Sequence, residues 1–176
     1  MKMRCNILFS TVICGILLLT AGCGYQIGVR GMMHPQIQTI AIAPVVNNTL
    51  EPLASDQLRM QLAGAFQTDG ALKLKRLSNA DCIIYPVITS VVNETVEDAS
   101  FDGGVTYRPE KFRLTVTVQF KVVIPGSGSM LLNNGKAVGR AEYEVLADPA
   151  TARQSALKYA CFQASKSIVT QLTEAW

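Results

Sequence analysis

A chain of 176 residues with 16% charged side chains and a formal net charge of +3 carries no basic field of the kind that grips nucleic acid, and it is too short for two comfortable domains. Lys2 and Arg4 precede an apolar run from Ile7 to Leu19, broken only by Ser10, Thr11, Cys14 and Gly15. That is a secretory signal and not a spanning helix, because crossing the hydrocarbon takes about 20 apolar residues. Without residues 1–22, 154 of the 176 residues remain, and loss of Lys2 and Arg4 takes the charge from +3 to +1.

The signal ends in Thr20-Ala21-Gly22-Cys23-Gly24. Small residues suit a peptidase pocket, and Cys23 supplies a thiolate that a diacylglyceryl group can cap. The stretch resembles the bacterial lipobox, with Thr20 where leucine is preferred and Cys23 as the acylated first residue of the mature chain. Gly24 stands where the enterobacterial retention signal would place aspartate, so the resemblance implies an outer-membrane anchor facing the periplasm. The expected organisation is a signal over 1–22, an acylated tether over 23–36 and a single domain over 37–176. Cys82 and Cys161 are the remaining cysteines. An oxidising compartment permits them to pair, and buried free thiols behaving as small hydrophobes are the other reading.

Thr39 to Val46, TIAIAPVV, reads as one buried strand ended by Asn47-Asn48. Leu58, Leu62, Ala65 and Phe66 then fall on one face of a helix that Gly70 should close. Leu72 to Leu77 alternates as a half-buried strand, and IIYPVITSVV reads as another, in which Pro86 points to an edge or a bulge. Residues 93–108 are acidic and glycine-bearing and predict a long hairpin tip. The strongest strand follows: Phe112, Leu114, Val116, Val118, Phe120, Val122 and Ile124 alternate with Arg113, Thr115, Thr117, Gln119 and Lys121. Pro125-Gly126 and Asn133-Asn134-Gly135 mark turns, and Ala137 to Leu146 resumes as a strand. Asp148-Pro149 opens a final helix with the apolar stripe Leu157, Cys161, Ala164, Ile168 and Leu172, roughly 35 to 40 Å long. The expected fold is α+β, a mostly antiparallel sheet of four to five strands with two helices on one face, in the order β-α-β-β-β-β-α.

No enzyme chemistry stands out. His34 is the only histidine and lies beside Pro35 without a second ligand, and there is no phosphate-binding glycine loop, nucleophile elbow or Cys-x-x-Cys. No cofactor is expected. Asn47-Asn48-Thr49 and Asn93-Glu94-Thr95 match glycosylation sequons but read as turn chemistry.

TAGCGYQI, TIAIAPV, the strand ending VTVQFKVVIPG and the Ala-Glu-Tyr strand feeding Asp148-Pro149 together resemble the lipopolysaccharide-assembly lipoprotein family, the LptE family, along essentially the whole mature chain. The resemblance implies a non-enzymatic partner that plugs an outer-membrane barrel of the LptD type, helps assemble it and assists insertion of lipopolysaccharide. Family members are thought to engage lipopolysaccharide itself, whose phosphates call for Lys and Arg. The candidates here are Arg108, Lys111, Arg113 and Arg153, with Lys121, Lys136 and Arg140 nearby, against the plain reading of these as a solvated sheet face. TIAIAPVVNNT also resembles the first strand of periplasm-facing lipoproteins that activate peptidoglycan synthases, but the uninterrupted strands from Leu72 to Leu146 favour the barrel partner.

Overall fold

The computed structural model describes residues 36–99, 108–145 and 148–173. The expected signal and Cys23 lie outside the described residues, as does the tether but for Gln36. The elements are β1 (Thr39–Ile42), β2 (Val46–Asn47), α1 (Ala54–Asp69), β3 (Lys73–Leu74), a 3-10 turn at Leu77–Asn79, β4 (Cys82–Ala99), β5 (Arg108–Val123), β6 (Met130–Glu144) and α2 (Pro149–Thr173). The fold is α+β, with one six-stranded sheet ordered β3-β1-β4-β5-β6 and β2 paired to β4.

The sheet is mixed. The long strands β4, β5 and β6 form the expected antiparallel meander, whereas β1 runs parallel to both β3 and β4, and β2 runs parallel to β4. Parallel neighbours cannot be joined by a tight hairpin, and α1 supplies the crossover between β1 and β3. The sixth strand arises because TIAIAPVV is not one strand but two, interrupted at Ala43-Pro44-Val45. Pro86 explains the break. Ile84 O accepts from Ala43 N at 2.9 Å, so Ile84 and, two residues on, Pro86 turn their backbone toward β1. Pro86 has no N–H to give there, and pairing resumes only at Val46 opposite Val87. β4 is therefore interior and not the expected edge, and the bulge lies just beyond the proline, between Ile88 and Ser90.

Two further expectations change. Residues 93–99 continue β4 and do not form a hairpin tip, because Asn93, Glu94 and Thr95 pair with Leu114, Arg113 and Phe112; residues 100–107 lie outside the described residues. The Asn93 sequon is thus strand, while Asn47 does make a turn, its Oδ1 accepting from Thr49 N and Oγ1 at 3.1 and 2.7 Å. Likewise Asn133-Asn134-Gly135 lies within β6. The turn is at Pro125–Ser129, where Gly126 and Gly128 hold φ of 86° and 65° and Ile124 N donates to Ser129 O. Gly135 is needed for space: a Cβ there would stand 2.4 Å from the Phe120 ring.

Leu114, Val116, Val118, Phe120 and Val122 are buried on the inner sheet face, under the helical residues Leu58, Leu62, Phe66, Leu157, Ala160 and Ile168. α1 is closed by Gly70, left-handed at φ 73°, whose N–H returns to Phe66 O. α2 starts as expected: Asp148 Oδ1 accepts from Ala150 N at 3.0 Å, and Oδ2 from Thr151 Oγ1 at 2.5 Å. These bonds hold the Asp148 carboxyl below its ordinary pKa, the Thr151 hydroxyl contributing most. Asp81 is lowered in the same way, chiefly by the Thr39 hydroxyl and also by the Gln38 and Thr39 amides.

A group whose folded pKa is depressed contributes stability above its unfolded value, about 3.9 for aspartate, and loses it as pH falls through the folded value. Thermal unfolding is therefore expected to be level near neutrality and to fall below about pH 4. Replacing Asp81 and Asp148 by asparagine should flatten that decline in a series of melts against pH.

Cys82 and Cys161 are both free and buried. Burial pushes the Cys82 thiol up to about 11, with the Asp81 charge adding to it, and Cys161 to about 12. Thiolate is the reactive form, so a maleimide at pH 7.5 is expected to label neither until the protein is unfolded. Labelling of native protein at either position would contradict this packing.

Candidate functional site

Both helices cover the inner face, so the outward residues of β4, β5 and β6 form the polar surface of the domain. Cross-strand register sets the rows: Glu94–Arg113–Glu142, Val92–Thr115–Arg140 and Ser90–Thr117–Val138, followed by Val87–Gln119–Lys136. The Ile88/Ser90 bulge keeps Ser90, Val92 and Glu94 on the outer face, because it absorbs Thr89, whose hydroxyl donates to Thr117 O at 3.3 Å. A shallow depression of about 760 Å³ lies over Ser90, Val92, Thr115, Thr117 and Arg140.

At one end of the depression two cations meet one acid. Arg113 donates through Nε and Nη2 to Glu142 Oε1 at 3.1 and 2.6 Å, and Lys111 Nζ lies 3.1 Å from Oε2. The Arg113 hydrogen bonds, with Lys111 next, hold the Glu142 carboxyl below its ordinary value. Glu94 stands across from Arg113 on β4, so the cluster mixes both signs of charge. Arg140 lines the depression with no ion pair among the described residues; outside it, further along β5, Lys121 lies 5.6 Å from the Tyr85 ring centroid.

The four cationic candidates do not form one patch. Lys111 and Arg113 share the outer face. Arg108 begins β5 opposite Ala99, and its side chain is outside the described residues. Arg153 lies on α2, on the helical side of the sheet, where its Nη2 is 2.5 Å from the nearly buried Glu51 Oε2. It ties α2 to the segment leading into α1 and does not add to the outer patch. Arg153→Glu would set two carboxylates together there, and a lower melting temperature is the expected result. Glu142 and Glu51 were not among the sequence candidates, and Arg140 is exposed where Lys111, Arg113 and Arg153 are half-buried.

A sheet with helices on one side and a charged, hydroxyl-rich surface on the other defines a small α+β domain with one uncovered sheet face. The model of the LptE family, described as lipopolysaccharide-assembly, matches residues 37–172. The chain belongs to that family, which is non-enzymatic and serves lipopolysaccharide assembly. Solved structures share the fold. A Xanthomonas campestris protein superposes with a TM-score of 0.56 at 12% identity, covering 80% of this chain and 88% of its own. A putative lipoprotein from Caulobacter crescentus gives 0.50 at 18% identity, with 75% and 87% covered. PelC of Paraburkholderia phytofirmans, a dodecamer, gives 0.50 at 15%, with 77% and 89% covered. Identities this low carry the fold alone. Among curated proteins no sequence matches the chain.

Proposed function

We propose that this chain is an outer-membrane lipoprotein, acylated at Cys23, that sits in the lumen of an LptD-type barrel, helps it assemble and assists the passage of lipopolysaccharide. The observation that carries the reading is the uncovered outer face. Thr115, Thr117 and Gln119 are β-forming and polar, which suits the wet, polar wall of a large barrel and not a hydrophobic interface. No described helix is long and apolar enough to cross a membrane, so attachment falls to the lipid and the partner. Affinity capture of the tagged full-length protein from detergent-solubilised outer membrane should bring one large barrel in equal amount, and depletion should lower the level of correctly assembled barrel. Capture of a peptidoglycan synthase without a barrel would overturn the reading in favour of a synthase activator.

Contact with lipopolysaccharide belongs to the same surface. Phosphate favours bidentate arginine, and the outer face offers Arg113 with Lys111, then Arg140. Lys111→Glu with Arg113→Glu should weaken binding of purified lipopolysaccharide and remove most of its salt dependence. Binding that is indifferent to both the substitutions and added salt would leave this face as a barrel contact alone.

A further inference from the structure

β6 closes one side of the sheet, and its 15 residues pair only with β5. The direction of its backbone groups follows from the ladder. Ile84 turns to β1, so the odd residues Ile83, Tyr85 and Val87 turn to β5, opposite Val123, Lys121 and Gln119. The even residues of β5 then turn to β6, where Leu114, Val116 and Val118 meet Ala141, Gly139 and Ala137. The N–H and C=O groups of Lys136, Val138, Arg140 and Glu142 therefore point off the sheet. An independent contact agrees: the Lys136 carbonyl accepts from Gln171 Nε2 at 3.0 Å. Beyond Lys136 no described side chain caps this row.

α2 lies directly over β6, since a Cβ on Gly139 would stand 1.8 Å from Ala160 O. At roughly 100° per residue, buried Cys161, Ser165 and Ile168 fall on the flank toward the core, and Tyr159, Gln163 and Thr170 fall on the other, above the open edge. Tyr159 is 53% exposed and Phe162 40%. Their rings are 6.0 Å apart, and Gln163 Nε2 donates to the Tyr159 hydroxyl at 2.9 Å. The result is a step, with unpaired backbone groups on one wall and an aromatic helix flank on the other. Long unpaired edges are a hazard that proteins usually cover, and a strand edge beside a helix is a geometry that binds extended peptides by strand addition.

We infer that this step takes up one extended segment of the partner barrel's chain as an added β-strand, an inference that rests on the barrel reading above. A second copy of this protein does not fit. Neighbouring strands lie about 4.8 Å apart, whereas packed helices need about 8–10 Å between axes, and each copy carries α2 over its own β6. An uncovered strand fits. One row of its side chains would lie against Tyr159 and Thr170, and the other would lie beside Val138, Arg140 and Glu142 in water. That alternation suits a segment of the barrel's chain outside its membrane strands, because those strands are already paired on both edges and turn their apolar row to lipid. Arg140 has no ion-pair partner among the described residues, so an acidic residue opposite it on the added strand completes the match.

The test uses full-length protein and synthetic peptides covering each alternating segment of the co-purified or genome-encoded LptD-type barrel, with amide exchange read residue by residue. One peptide should slow exchange at Val138, Arg140 and Glu142 by tenfold or more, and leave the already paired Ala137, Gly139 and Ala141 unchanged. Arg140→Pro removes an outward N–H that β5 does not use, and should abolish that protection while circular dichroism stays native; Tyr159→Ala should weaken it. Should Arg140→Pro not fold, Tyr159→Ala carries the same comparison. No protection by any peptide, or protection that survives both substitutions, overturns the inference. Barrel capture without peptide protection removes the edge and spares the barrel reading, and peptide protection without capture of the intact barrel does the reverse.

Discussion

Replacing Gly139 by valine is expected to leave no folded protein, and Gly139→Ala to lower the melting temperature by about 10 °C or more, the consequence of a destabilisation of at least about 3 kcal/mol. Gly139 does not hold a positive φ, so its backbone conformation is open to any residue. Its role is spatial. A Cβ would meet Ala160 O at 1.8 Å, Ala164 N at 2.7 Å and Ala160 C at 2.9 Å, all backbone atoms of α2 that no rotamer change can move. Relief requires lifting the helix off β6, and with it the contacts of Ala160, Ala164 and Ile168, all fully buried. Overpacking usually costs about 1–3 kcal/mol where side chains can give; here they cannot. Gly64 is the control, since it lies within α1 and a Cβ there meets nothing within 4 Å. Gly64→Ala should stabilise by up to about 1 kcal/mol. Thermal melts of the two alanine variants should thus move in opposite directions, and a Gly139→Ala melt within 2 °C of the parent on the ~10 °C scale above would contradict the close approach of α2 to β6.

Gly139 also shows what the sequence made legible and what it did not. Period two separates Gly139, Ala141 and Tyr143 from Val138, Arg140 and Glu142, and period 3.6 found Leu58, Leu62 and Phe66 on one face of α1. Those are local signals, written in the spacing of apolar residues. That a helix backbone would arrive against Gly139 is a tertiary fact with no local trace. Gly135 misled for the same reason, because Asn-Asn-Gly is turn chemistry in most contexts and only the Phe120 ring across the strand shows why a glycine is needed. Pro86 was informative but ambiguous. Its missing donor implied an interrupted ladder, and whether the interruption meant an edge or a gap between two short strands depended on β1 and β2, more than 35 residues earlier.

The charged candidates divide along the same line. Arg113 on the outer face follows from alternation alone. Its partner Glu142 follows only from register, and register depends on which of two glycine-bearing stretches is the turn. With the turn at Gly126-Ser127-Gly128, Arg113 meets Glu142 and Lys111 meets Glu144; with the turn at Asn133-Asn134-Gly135 neither pairing forms. Arg153 was grouped with Arg113 because both are basic and near the right elements. Helix α2 carries it to the other side of the sheet, where Glu51 holds its guanidinium pKa above the ordinary value.

Cys23→Ser is expected to abolish membrane association as completely as Gly139→Val abolishes the fold. Serine lacks the thiolate that attacks the diacylglyceryl donor, so the signal over residues 1–22 should remain attached and the precursor accumulate. Each buried methylene of an acyl chain contributes roughly 0.8 kcal/mol, and two or more chains anchor a domain stably where one does not. No described helix is long and apolar enough to cross a membrane. β1 begins 16 residues after Cys23. An extended chain of that length reaches at most about 55 Å, so an anchor at Cys23 would keep the sheet within that distance of the bilayer. Its loss should therefore reduce barrel capture as well as membrane binding. Fractionation, an intact mass of the amino-terminal peptide and the amount of assembled barrel read the three steps separately. An unmodified amino terminus at any residue other than Cys23 in the parent protein, or a Cys23→Ser variant that still fractionates with the outer membrane and captures the barrel at parent levels, would show that the sheet face alone carries attachment.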